Sequence, residues 1–273
     1  MRRAKLKQRV ALLAMAPFLL SGNLVHPAPA TGPIDLSHYR LTFAEDFNDL
    51  SVSPWGDGHS RWIAHTPWAG DFGDAAFTDP EPGFPFTVRK GVLRIEARKD
   101  GAGRWRGGLL SAVDDKGRGF CQQYGYFEAR MKLPPGPGVW PAFWLMGRDT
   151  SQGKAEIDVM EYYGHNDSQI ISTWHVWKVH PDQSDQGEQT IVAVPPGSLS
   201  AQFHTYGVEV TPGEVRFYLD RQESWRVPAP PSYSSCFYPL VDLALGSGWP
   251  ITDTPNPSYL WVDYIHVYQR KPD

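Results

Sequence analysis

Three carboxylates crowd one short apolar stretch, "AEIDVMEYYG" (155–164), where Glu156, Asp158 and Glu161 stand among Ile, Val, Met and Tyr. Glu156 and Asp158 keep the two-residue period of a strand, so Ile157 points to the opposite face. Glu161 breaks that period. In a regular strand it would share the apolar face of Ile157, where an unpaired carboxylate is very costly. One extra residue near Val159 and Met160, a β-bulge, returns Glu161 to the face of the other two acids. Glu156 and Glu161 then act as positions four apart, with Cα atoms about 13 Å from one another. Allowing roughly 4 Å of reach for each side chain leaves the carboxyl groups about 5 Å apart, which matches double displacement in retaining glycosidases and is too narrow for the water an inverting enzyme admits. In that chemistry one Glu attacks the anomeric carbon while the other protonates the leaving oxygen. Asp158, between them, steadies the nucleophile and raises the protonation tendency of its neighbours. Two other readings stay open on these residues alone: an acidic edge strand that blocks aggregation, and a cluster of oxygens for a hard cation.

The surroundings favour sugar. Trp140, Trp144, Tyr162, Trp174 and Trp177 lie on the runs flanking the three acids, and aromatic faces stack on the apolar C–H faces of sugar rings. Eleven Trp, twelve Tyr and thirteen Phe exceed what a core of this size needs. There is no G-x-S-x-G elbow, no H-E-x-x-H and no phosphate-binding glycine loop, so other common catalytic classes find no support.

The elements that must position these residues read as strands. Short alternating or β-rich runs at 39–47, 86–98, 123–133, 139–147, 169–177, 189–194, 203–211, 214–220, 238–246 and 259–269 are separated by Gly and Pro. Sequential antiparallel strands imply an all-β sandwich of two packed sheets. "TPGE" at 211–214 places Pro and Gly as a type II turn wants them, which predicts a hairpin over 203–220. The segment 54–85 is rich in Gly, Pro, Asp and Trp without periodicity, and a loop this long generally serves a binding site.

The first thirty residues read as a secretory signal: Arg2, Arg3, Lys5, Lys7 and Arg9 precede the apolar run 10–20, and Ala28 and Ala30 supply the A-x-A pattern for cleavage. The alternative is an uncleaved anchor, although the run is short for a membrane span. Losing five positive charges takes the formal net charge from −4 to −9. An acidic secreted chain is a poor partner for nucleic acid. The remaining 31–273 show no linker or internal repeat and read as one domain, secreted or periplasmic, monomeric and without membrane contact once the signal is gone. Cys121 and Cys236 are the only cysteines, and export permits a bridge without requiring it.

Four ordered segments, "QYGYFEARMKLPPGPGVWPAFWLMG", "EIDVMEYYG", "FHTYGVEVTPGEVRFYLDR" and "VDLALGSGWP", resemble glycoside hydrolase family 16 in its bulged-strand, laminarinase-like branch, over about 41–268. The resemblance implies a β-jelly-roll with a concave cleft. It makes Glu156 the nucleophile, Asp158 the assisting carboxylate and Glu161 the acid/base, and it needs no cofactor for catalysis. Trp140 and Trp144 match tryptophans that line the sugar subsites, and His175 matches a histidine on the neighbouring strand. The expected activity is hydrolysis of a β-glucan or related polysaccharide. Transfer to a sugar acceptor, or glycan binding without turnover, are the alternatives. The family often holds a structural calcium, for which Asp263 would give the carboxylate and Gly91 and Glu45 the carbonyls; Asp263 in an ordinary salt bridge is the other reading. One departure bears on substrate: "FGDAAFTDP" carries Asp74 and Ala76 where laminarinases carry Asn and Glu.

Overall fold

The computed structural model describes residues 32–272 apart from Ala69. The expected signal segment 1–30 lies outside the described residues. Among those described, no helix is long and apolar enough to cross a membrane.

One sheet carries the three acids. In spatial order it runs β12 (Gln186–Ala193), β11 (Gln169–Trp177), β10 (Lys154–Glu161), β9 (Val139–Gly147), β16 (Phe237–Leu245), β7 (Trp105–Ser111), β3 (Trp62–Ile63) and β2 (Val52–Ser53). The opposing sheet runs β5 (Phe86–Arg89), β6 (Val92–Lys99), β17 (Ser258–Arg270), β8 (Gly125–Lys132), β13 (His204–Val210), β14 (Glu214–Leu219) and β15 (Gln222–Pro228), with β1 (Tyr39–Glu45) beside the second half of β17. Pairing is antiparallel throughout, except for two-residue parallel contacts of β2 with β3 and of β4 (Ala76–Phe77) with β7. The all-β sandwich of two sheets is therefore as expected.

The packing follows from alternation. Phe127, Val208, Phe217, Val262 and Ile265 of one sheet meet Phe143, Leu145, Ile157, Val241 and Leu243 of the other in a single buried core. Strand β9 is buried along its whole length, and its period-two pattern divides it. Phe143 and Leu145 enter the core, while Trp140, Ala142, Trp144 and Met146 join a second, smaller apolar cluster on the outer, concave side with Leu109, Tyr238 and Leu240. Phe77 of β4 joins that second cluster, and the loop residue Phe72 packs against it. The long segment 54–85 thus packs over the β16 and β7 half of the concave sheet.

A buried carboxylate on the opposite sheet shows what such a group demands. Glu128 is fully buried and accepts two bonds from Arg221, at 2.9 Å each, and one each from the Tyr126 and Tyr264 hydroxyls. Both of its oxygens are satisfied. The 203–220 hairpin forms as β13 and β14, but Gly213 lacks the positive φ of a type II turn. The turn closes instead through Thr211, whose backbone N–H and hydroxyl both donate to the Glu214 carbonyl. Cys121 and Cys236 are joined, with Cα atoms 5.5 Å apart.

Candidate active site

The ladder on β10 shows how the acids come to one face. On the β11 side, Glu156, Asp158 and Glu161 stand opposite His175, Thr173 and Ile171; on the β9 side they stand opposite Met146, Trp144 and Ala142. Each set of partners steps by two, while the acids span five positions. One extra residue has therefore been absorbed between Asp158 and Glu161, and the register shifts at that point. Val159 and Met160 are both buried in the inter-sheet core. The Val159 carbonyl, displaced from the ladder, accepts a bond of 2.9 Å from the buried Ser172 hydroxyl. This is the bulge that the cost of burying Glu161 called for.

Each glutamate is held by an indole. Trp177 Nε1 donates to Glu156 Oε2 at 2.6 Å, and Trp140 Nε1 donates to Glu161 Oε1 at 2.9 Å. The Tyr163 hydroxyl also donates to Glu161 Oε1, at 2.8 Å. His175 stacks on Trp177 with ring centroids 4.4 Å apart and sets Nε2 3.3 Å from Asp158 Oδ2. Beneath them, the Tyr233 hydroxyl reaches the carbonyls of Glu156 and His175 at 2.6 and 3.2 Å, tying the two strands at the Glu156 position.

Burial dominates the protonation of this cluster. It pushes Glu156 up to about 8, with the neighbouring Asp158 adding to the rise. Asp158 is raised well above the usual carboxylate range by burial and by Glu161. Glu161 is also raised by burial, against the Tyr163 and Trp140 bonds, which favour its ionised form. His175 is pulled below its ordinary value by burial, despite the acids around it, and is therefore a neutral donor or acceptor at neutral pH. A site that keeps protons on carboxyls at neutral pH can supply one to a leaving group.

The other expected residues divide. Trp140 and Trp144 are on the concave face, but only 6% and 5% exposed, because Phe72 stands edge-on to both. Trp68, 39% exposed, packs edge-on against Trp144. Trp174 is a correction: it stands opposite Ile157, packs against the inter-sheet core and meets Tyr233 edge-on, so it faces away from the acids. Tyr162 is buried in the same core.

Several site residues escaped the sequence reading. Asp242 is fully buried on β16, accepts from Trp144 Nε1 at 2.8 Å and from the Ala244 amide at 3.1 Å, and is pushed up to about 8 by burial. Tyr163 lies next to a predicted acid, and only the end of the strand after Glu161 brings it to the same side. His165 and the exposed Trp249 stack at 3.5 Å and continue an aromatic series from Trp140 through Tyr163. The only signal for these was the aromatic surplus.

The one carboxylate of the calcium set is already paired: Asp263 is taken by Arg130 Nη1 at 2.5 Å. Gly91 faces the Asp46 carbonyl and Asn48. No group of three metal-ligating side chains occurs among the described residues. With its carboxylate spent on a guanidinium, the set does not fit a resident hard cation, and no step below is routed through one.

A concave antiparallel sheet with two indole-held glutamates flanking a third acid defines a β-jelly-roll with a carboxyl cluster on its concave face. The family model for glycosyl hydrolases family 16 matches residues 93–264. The chain belongs to that family. It is 31% identical over 265 residues to the endo-1,3-1,4-β-glycanase ExsH of Rhizobium meliloti and 30% identical over 278 residues to EglC, named likewise, from the same organism. The matches take in 88% and 93% of this chain but 54% and 57% of those proteins, so it spans little more than half their length. Among solved structures, that of SCLam, a non-specific endo-β-1,3(4)-glucanase from family GH16, superposes with a TM-score of 0.68 at 26% identity, over 89% of this chain and 95% of that one.

Proposed function

We propose that the protein is an endo-acting β-glucanase, cleaving β-1,3 or mixed 1,3-1,4 linkages by double displacement with retention of anomeric configuration. The observation that carries the reading is the bulge on β10, which sets Glu156 and Glu161 on one face, each anchored by an indole N–H. Glu156, ionised, attacks the anomeric carbon as Glu161 gives its proton to the leaving oxygen. Glu161, now a base, then takes a proton from the water that cleaves the glycosyl ester. Asp158 stands between them and can hydrogen-bond the nucleophile through its retained proton. The sugar on the transferred side meets the Trp140, Trp144 and Phe72 wall.

The mixed-linkage part of the proposal draws on the names of the relatives and on the loop. Asp74 is packed at the end of β16, its amide bonded to the Leu245 carbonyl at 2.8 Å, and Ala76 is spent on the short pairing with Arg106. A wall with fewer sugar-hydroxyl partners discriminates less between linkages. The basic and apolar N-terminal sequence supports export towards an external polysaccharide.

Digestion of laminarin and mixed-linkage glucan, with product anomers followed by NMR, tests the reading. Retained β-anomers as first products, lost by at least about a thousandfold in Glu156→Gln, are expected. Inverted products, or full activity in that variant, would overturn it.

A further inference from the structure

The concave sheet continues two strands past Glu161, on the side away from the aromatic loop. Cross-strand register runs Asp242, Ala142, Glu161, Ile171, Ile191 in one row. At about 4.8 Å per strand, Ile191 lies about 10 Å from the catalytic acid along that row. Alternation fixes its direction: Ile170 is buried in the inter-sheet core and Val192 packs against that core, so Ile171 and Ile191 face the concave side. Ile191 is 58% exposed on an edge strand whose other cleft-facing positions are Gly187, Gln189 and Ala193. Gln189 belongs to the adjacent row, Trp144, Asp158, Thr173, Gln189. Gly187 faces His175, and a Cβ there would fall 2.8 Å from His175 Nδ1, so a larger residue would displace the ring that stacks on Trp177.

The two halves of this floor differ in kind. The β9 and β16 half is aromatic and covered by Phe72 and Trp68, suited to hold the sugar that becomes covalently attached. Beyond His175 and Trp177, the β11 and β12 half is aliphatic at Ile171 and Ile191, amide-bearing at Gln189 and open at a sheet edge. A product leaving before the second step needs a surface that binds it weakly and lets it go, and an exposed isoleucine beside one amide answers that need.

We infer that Ile191 and Gln189 form the subsite for the sugar on the leaving-group side of the scissile bond, the apolar C–H face of a β-linked glucose unit resting on Ile191 while Gln189 bonds its hydroxyls. The same place receives the acceptor when a second oligosaccharide, rather than water, captures the glycosyl enzyme. This inference rests on the glucanase reading above and adds the residues that select the aglycone.

The experiment compares two substrates with the same glycone, an aryl β-oligoglucoside and a β-glucan oligosaccharide, in the wild-type chain, Ile191→Asp, Gln189→Ala and Ile191→Trp. Because all three changes are at exposed edge positions, circular dichroism serves only to verify folding. The ratio of kcat/KM for the oligosaccharide to that for the aryl glycoside is expected to fall about tenfold in the first two variants and to rise in Ile191→Trp, with more transfer product at high oligosaccharide concentration. An unchanged ratio in all variants, or equal losses on both substrates, would overturn the assignment. A wild-type chain that cleaves neither substrate would instead remove the glucanase reading, and this inference with it.

Discussion

Glu156 holds two opposed requirements in one side chain. In the proposed mechanism it must be ionised to attack, yet burial and Asp158 push it up to about 8. Under the proposed mechanism the acid limb of kcat/KM for the free enzyme should therefore belong to Glu156, climbing as pH rises towards about 8. A pH–rate profile already flat by about pH 5 would contradict this. The same shift has a stability consequence of definite sign. A carboxyl whose value is higher in the folded chain binds more protons folded than unfolded, so its contribution is full below the unfolded value of about 4.3 and is lost as pH rises through about 8. Glu156→Gln carries no charge at any pH. By thermal melting it should match the wild type near pH 4 and exceed it by several kcal/mol, up to about 5, near pH 9. The catalytic arrangement is thus maintained against the stability of the site that contains it.

Strand β10 turns this local chemistry into geometry through one extra residue. Ser172 supports the bulge by bonding the Val159 carbonyl, so Ser172→Ala leaves a buried carbonyl unpaired, at about 1–2 kcal/mol. Because it lets Glu161 drift relative to Glu156, kcat should fall several-fold with KM nearly unchanged; a change confined to KM would place Ser172 outside this role. The bulge itself was legible in the sequence, because the parity of Glu156 and Asp158 left Glu161 no tolerable place in a regular strand. Strands β9 and β11 were legible to the residue, since their apolar runs end at clear turn signals. Strand β7 was absent from those runs, because Gly107 and Gly108 interrupt its apolar pattern; a Cβ at Gly107 would lie 2.6 Å from the Leu243 carbonyl and one at Gly108 would meet the Phe86 ring at 2.8 Å. Trp174 was misplaced for a related reason. Proximity along the chain suggested a cleft residue, while parity against His175 puts it in the core. Asp242 and the stacked His165 and Trp249 depend on contacts between distant strands and loops, and the cation beside Asp263 depends on which arginine the neighbouring strand supplies, so no local pattern announces them.

The disulfide joins these parts across the sandwich. Cys121 and Cys236 are separated by 115 residues, and next to them Gln122 and Phe237 exchange backbone bonds. The bridge therefore pins the start of β16 to the segment that leads into β8. Just before that point lies the short helical turn Pro231–Ser234, whose Tyr233 is buried against Trp174 and Phe237 and bonds the Glu156 and His175 carbonyls. A covalent tie between sheet elements thus ends three residues from the hydroxyl that braces the Glu156 backbone. Closing a loop of that length restricts the unfolded chain, so replacing both cysteines by serine should cost about 3–5 kcal/mol. It should also lower kcat a few-fold, because the segment carrying Tyr233 gains freedom. Tyr233→Phe with the bridge intact separates the two effects. It keeps the ring and its packing, loses the bonds to both carbonyls, and should reproduce the fall in kcat at a stability loss of only about 1–2 kcal/mol. Thermal melts and steady-state kinetics on the two variants decide the matter. If the double serine variant lost stability but kept full kcat, the bridge would hold the sandwich together without reaching the site.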